Sequence, residues 1–313
     1  MVCRRGAVAV RQLRRWLPPA LGLLPLAATA HAPVAAAEPV TLTWTFEPWV
    51  LALLAASLML YAAGLRRLWG QAGAGRGIRG AHAAAFGAGW LAVALALVSP
   101  LDGLGARLFS AHMVQHELLM AVAAPLLVIG RPLAVWTWAL PPPARRLAGR
   151  WTRQPVLARA WATLTDPMVA WALHGVVLWG WHVPAMFEWA LRSDGMHTLQ
   201  HSSFLLSALL FWWSPLAGAS RVGRGASMFY LFSTMVHTGA LGALLTFSPT
   251  VWYPSYGDTA ASLGVDPVED QQLGGLVMWV PAGLAYLFAG LALAASAIND
   301  APRARAAALP PAP

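Results

Sequence analysis

Apolar residues gather in seven runs, at 48–65, 82–99, 111–130, 167–186, 196–217, 227–247 and 274–296, and within these runs the one charged residue is Glu117. An α-helix rises about 1.5 Å per residue, so about 20 apolar residues cross the roughly 30 Å hydrocarbon core of a bilayer. Each run is near that length. The pattern predicts an all-α membrane protein whose body, residues 38–298, is a bundle of seven transmembrane helices.

What precedes and follows this body reads differently. Residues 1–37 have the form of a secretory signal: Arg4, Arg5, Arg11, Arg14 and Arg15, then an apolar core, then small residues around Ala30 and Ala35–Ala37 suited to cleavage. Residues 299–313, rich in Ala and Pro, are expected to form a disordered cytoplasmic tail.

The connecting segments set an orientation. Arg66, Arg67, Arg76 and Arg79 follow the first run; Arg131, Arg145, Arg146, Arg150, Arg153 and Arg159 lie in the loop 131–166; Arg221, Arg224, Arg303 and Arg305 complete one side. The opposite side holds only Arg107 and Arg192, and gathers Asp102, Glu188, Asp194, Asp258, Asp266, Glu269 and Asp270. Basic loops stay cytoplasmic. The mature N-terminus is therefore expected outside and the C-terminus inside, and an export signal predicts the same. The loop 131–166, with Pro141–Pro143 and a basic, amphipathic stretch at 145–162, is expected to lie on the inner surface.

Composition agrees. Charged residues make up 11% of the chain and hydrophobic ones 58%, whereas a soluble domain carries about 25% charged residues. The 17 tryptophans suit a bilayer interface. A net charge of +9 would suggest nucleic-acid binding, but the arginines are accounted for by topology, so no nucleic-acid partner is expected. The single cysteine, Cys3, falls in the signal-like segment. A metal site in the body would have to use His, Met, carboxylate or backbone ligands.

Polar residues inside the apolar runs carry the chemistry. His112-Met113-Val114-Gln115-His116-Glu117 opens the third run, and residues four apart share a helix face, about 40° apart around it. The pattern His-x-x-Gln-His returns as His197-Thr198-Leu199-Gln200-His201 at the outer start of the fifth run. His182 ends the fourth run, His174 lies about two turns deeper, and His237 is near the middle of the sixth. Ionisable groups within a membrane are costly unless they face a partner, a cavity or an ion. Seven such histidines in four consecutive runs point to a metal or haem site, led by His112, His116, His197 and His201, with His182, His174 and His237 as further candidates.

Imidazole with thioether suits copper, and Met113, Met186 and Met196 stand near these histidines. Imidazole pairs alone would equally suit zinc or haem iron. Gln115 and Gln200 could orient ligands, and Glu117 could be a ligand, a proton relay or a partner for a protonated imidazole. Asp102, Arg107 and Asp194 read as ordinary loop charges. The bland alternative is that the histidines only bridge helices.

Four stretches carry a resemblance. Ser99-Pro100-Leu101-Asp102 precedes the first histidine pair, which runs into Ala124-Pro125-Leu126-Leu127. Trp181-His182-Val183-Pro184 ends the fourth run, and His197 to Phe204 opens the fifth. Asp270-Gln271-Gln272-Leu273-Gly274-Gly275 and Met278-Trp279-Val280-Pro281 open the seventh. Over residues 45–298 the chain resembles the bacterial CtaG-type cytochrome c oxidase assembly factors, seven-span proteins of the plasma membrane. The resemblance implies a non-enzymatic role in maturing haem-copper oxidases, with copper handled at the outer face. Oxidase subunits, periplasmic copper chaperones and the bilayer would be its partners. Asp270, Gln271 and Gln272 would enter at the level of the histidines. The alternatives are a haem-binding redox or haem-handling protein and a cofactor-free scaffold for oxidase subunits.

Overall fold

The structure is a computed structural model that describes residues 43–217 and 223–308; the signal-like segment 1–37 lies outside them. All regular structure among the described residues is helical. Five helices or helical stretches are long and apolar enough to cross a membrane: Pro48–Ala72, Gly80–Val98, Phe109–Gly130, Gly225–Thr246 and Pro267–Asn299.

The first two are α1 (Pro48–Ala72) and α2 (Gly80–Val98), and a short α3 (Pro100–Gly105) follows. Phe109–Gly130 is built of α4 (Phe109–Glu117), a π-helical turn (Leu118–Ala123) and α5 (Ala124–Gly130). Then come α6 (Pro132–Ala139), α7 (Pro142–Thr152) and α8 (Pro155–Leu164), the last two presenting no buried residue. The remainder is α9 (Pro167–His182), α10 (Pro184–Arg192), α11 (Asp194–Leu216), α12 (Arg224–Thr246), α13 (Ser255–Ser262) and α14 (Pro267–Ala308).

Two of the seven expected spans are helices but are not among these five. A residue before proline is pushed out of the α region, so α9 stops at His182, Val183 turns extended ahead of Pro184, and α10 sets off anew. That leaves α9 with 16 residues. The other, α11, has 23 residues, but Asp194, His197, Thr198, Gln200, His201, Ser202 and Ser203 fill its N-terminal half with polar groups. At the far end, α14 runs through the expected end of its span at 296 and on to Ala308, into residues expected to be disordered.

The stretch Phe109–Gly130 sits at the centre, 61% buried where the other four candidates range from 17% to 44%. It touches α2, α11 and α14. The π-turn follows from Pro125. In the five-residue register the amide of Ala124 reaches Leu119 O, and the partner of Met120 O would be the nitrogen of Pro125, which has no hydrogen. The indole of Trp212 on α11 donates to that carbonyl instead, at 2.9 Å. This bond ties together the two stretches that carry the His-x-x-Gln-His pairs.

Close backbone approach fixes the other seams. A Cβ on Gly242 of α12 would fall 2.8 Å from Gly275 O of α14, so this pair packs through small residues. On the opposite side, the Tyr61 ring of α1 stacks on Phe86 of α2 at 3.7 Å and its hydroxyl donates to Gly130 O at 2.8 Å.

Candidate functional site: a buried histidine cluster

Two helix faces meet at the cluster. Four-residue spacing places His112 and His116 on one face of α4, with ring centroids 4.3 Å apart, and His197 and His201 on one face of α11, 4.2 Å apart. Across the seam, His112 lies 5.3 Å from His201 and 5.4 Å from His197, and His116 lies 5.1 Å from His201. His182, the last residue of α9, comes within 6.2 Å of His116. One ligand nitrogen from each of His112, His116 and His201 can be chosen so that all three lie within 4.8 Å of one another. Phe204 packs 4.5 Å from His116 and Phe187 5.3 Å from His112, closing the sides with apolar rings.

The hydrogen bonds decide which nitrogens are available. The Tyr256 hydroxyl of α13 donates to Gly105 O at 2.9 Å, so its oxygen is left to accept from Nδ1–H of His112 at 3.0 Å. Nδ1–H of His182 donates to Leu178 O at 2.7 Å. A neutral imidazole carries one proton, so both rings turn a bare Nε2 lone pair inward. Nε2 of His112, His182 and His201 and both ring nitrogens of His116 are buried with no hydrogen-bond partner among the described residues. An unsatisfied buried polar atom costs about 1–3 kcal/mol, and four such side chains in one place fit a ligand that is itself electron-poor. This donor set, neutral nitrogens whose tautomer is fixed at His112 and His182, fits a soft or borderline metal ion.

Much of what surrounds the cluster is bracing. Asp270 of α14 is 2% exposed and accepts from Phe109 N (2.6 Å), Ser110 N (3.1 Å) and Ser110 Oγ (2.5 Å). It thereby caps α4 from a different helix, meeting the first free amides and the positive end of its dipole. Gln271 accepts from Trp252 N and donates to Thr250 O, and Gln272 donates to Ser248 O. All three were expected at the histidine level; they hold the start of α4 and the loop after α12.

Gln115 likewise braces: its amide donates to Ala96 O at 2.8 Å and to Asp102 Oδ1 at 3.0 Å. Asp102 is thus more than a loop charge, and Arg107, read the same way, is 5% exposed. A Cβ on Gly105 would collide with Gln115 Oε1, so a side chain there would require the Gln115 amide to move from its bonds to Ala96 and Asp102. Gln200 is fully buried with neither side-chain atom partnered.

Other candidates stand apart. Met113 packs toward Gly274 of α14, on another side of the helix from the cluster, and Met186 and Met196 pack against the main apolar core. Glu117, about 100° around the helix from His116, lies on the side of Tyr286 of α14. His174 is bound through Nδ1 to Ser207 Oγ at 3.1 Å, and His237 lies beside Trp171 and Gly175. Eight residues separate His174 from His182, about 12 Å along the helix, so neither His174 nor His237 joins the five.

The loop between α12 and α14 supplies groups that sequence reasoning missed. Besides Tyr256, the Tyr253 hydroxyl donates to His182 O at 2.9 Å. Glu188 of α10 accepts from Ser255 N (3.0 Å), Ser255 Oγ (2.5 Å) and Arg192 (2.7 Å), which fastens the loop. Burial raises the Glu188 pKa, but bonds from Ser255 and Arg192 outweigh it and hold the carboxyl below its ordinary value. Burial pushes the Tyr256 phenol well up, so it stays protonated as a donor. The available signal was that two of the chain's five tyrosines fall in this one loop.

No solved structure matches the chain. An uncharacterised protein of Mycobacterium bovis and one of Mycobacterium tuberculosis are each 28% identical to it over 204 residues, 61% of this chain. The chain spans 30% of the length of these curated relatives. Residues 59–300 match the family described as cytochrome c oxidase caa3 assembly factor, and the chain belongs to that family.

Proposed function

We propose that the protein binds a cuprous ion in the histidine cluster and presents it to a nascent oxidase subunit at the outer face of the plasma membrane. In this reading α9 and α11 also cross the bilayer, making seven spans, with arginine-rich segments inside and the histidines near the outer surface. The ion is cargo received from periplasmic copper chaperones, and the protein transforms nothing itself.

The observation that carries the reading is the set of buried ring nitrogens without partners on His112, His116, His182 and His201. Three of those residues can converge on one point. Neutral imidazoles suit a soft ion, and fewer than four ligands leave room for exchange with a recipient. Spacing favours an ion over a haem. Neighbouring rings lie 4.2–6.2 Å apart and pack against Phe187 and Phe204, so a porphyrin plane would have to part α4 from α11.

The test is complementation. In a bacterium lacking the gene, the wild-type chain should restore oxidase activity and oxidase copper. Variants His112→Ala, His116→Ala and His201→Ala should reach the membrane yet leave the oxidase copper-poor. Full oxidase copper with all three changed together would refute the assignment.

A further inference from the structure

The five imidazoles form two overlapping triads. The inner one, His112, His116 and His201, has ring separations of 4.3, 5.3 and 5.1 Å. The outer one, His197, His201 and His112, has separations of 4.2, 5.3 and 5.4 Å. They share the edge between His112 and His201. They differ in exposure: His112 and His116 are each 1% exposed, His201 is 7%, and His197, one turn nearer the start of α11, is only half-buried.

We infer that the cluster is a two-station path in which His197, with His112 and His201, receives the ion from outside and passes it to the inner triad, where His116 replaces His197. The inference rests on the metal-binding reading above and adds a direction to it. One metal–nitrogen bond forms, to His116, as one breaks, to His197, while the bonds to His112 and His201 persist. No electron moves. At His112 no proton moves either, because Tyr256 already holds its Nδ1–H. An ion sliding along a shared edge never falls below two ligands, so it is never bare in the apolar surroundings of Phe187 and Phe204. His182, 6.2 Å beyond His116, stands past the inner station and shares only one member with it.

A split between rate and affinity tests this. The purified full-length protein, in detergent and without oxygen, is loaded from a chromophoric cuprous chelator; stopped-flow absorbance follows loading, and equilibrium competition gives affinity. His197→Ala should slow loading at least tenfold while weakening affinity threefold or less. His116→Ala should do the reverse, keeping the loading rate within threefold and weakening affinity at least tenfold. His197→Asn, which keeps a polar group at the mouth, should slow loading as His197→Ala does and guards against a folding artefact. Equal losses of affinity from His197→Ala and His116→Ala would overturn the two-station path in favour of a single four-ligand site. Loading unaffected by either His197 variant would overturn it too. If the wild-type chain takes no cuprous ion at all, the metal-binding reading fails first, and that failure is distinct.

Discussion

Asp270 is a carboxylate on α14 that holds the start of a helix on which it does not lie. Changing it to alanine removes the acceptor for two main-chain amides, Phe109 N at 2.6 Å and Ser110 N at 3.1 Å, and for the Ser110 hydroxyl. A hydrogen bond to a charged group contributes about 1.5–3 kcal/mol net, and a lost N-cap costs about 0.5–2 kcal/mol. Because the residue is 2% exposed, water cannot readily take its place. These contributions overlap, so Asp270→Ala should cost about 3–4 kcal/mol. Asp270→Asn keeps one acceptor oxygen but turns an NH2 toward a donor, and should cost about half as much. Thermal unfolding followed by the 17 tryptophans in one detergent would rank wild type above Asn above Ala. The first turn of α4 carries His112, so metal affinity should fall in the same order. Asp270→Ala melting within a degree of wild type would refute the capping argument, and Asn melting below Ala would refute its electrostatic part.

Tyr256→Phe removes the nearer of two acceptors for His112 Nδ1–H and leaves only Gly105 O at 3.4 Å; metal affinity should drop about tenfold, the low end of the range for loss of a ligand-orienting partner, with at most about 1.5 kcal/mol of stability lost, as read by competition titration and melting. Gly105→Ala drives a Cβ into Gln115 Oε1 and should cost about 2 kcal/mol or more, within the range for overpacking; adding Gln115→Ala to it should recover part of the loss, and strictly additive effects would contradict the collision. The Glu188 carboxyl is held below its ordinary value by Ser255 and Arg192, so its contribution is fully present above about pH 4.5 and is lost as pH falls through the lowered value. Protection of the 248–266 amides, taken relative to the intrinsic exchange rate at each pH, should therefore drop on acidification below about pH 4.5, and Glu188→Gln should show lowered protection already at pH 7.

The helices and the histidine pairs were legible because each rests on a local periodicity. An apolar run of set length marks a span, and four-residue spacing marks a face, so α4 and α11 each offered their imidazoles to one direction before any contact was known. What could not be read was which helix each face meets. Met113 and His112 are neighbours in sequence but point to different helices, and His174 shares α9 with His182 yet lies two turns too deep. Tyr256 reaches His112 across 144 positions, and Asp270 caps Phe109 across 161. Neither contact leaves a local trace. The π-turn had one: Pro125, inside an apolar run, had to break the hydrogen-bond ladder somewhere, though nothing nearby says that Trp212 would mend it.

The most direct measurement is X-ray absorption at the copper edge on the purified, copper-loaded chain, paired with metal analysis of the same sample. The account predicts one cuprous ion per chain, bound by two or three imidazole nitrogens and no sulfur, and lost when His112, His116 and His201 are all changed to alanine. A copper–sulfur shell, or stoichiometric copper retained by the triple variant, would contradict it.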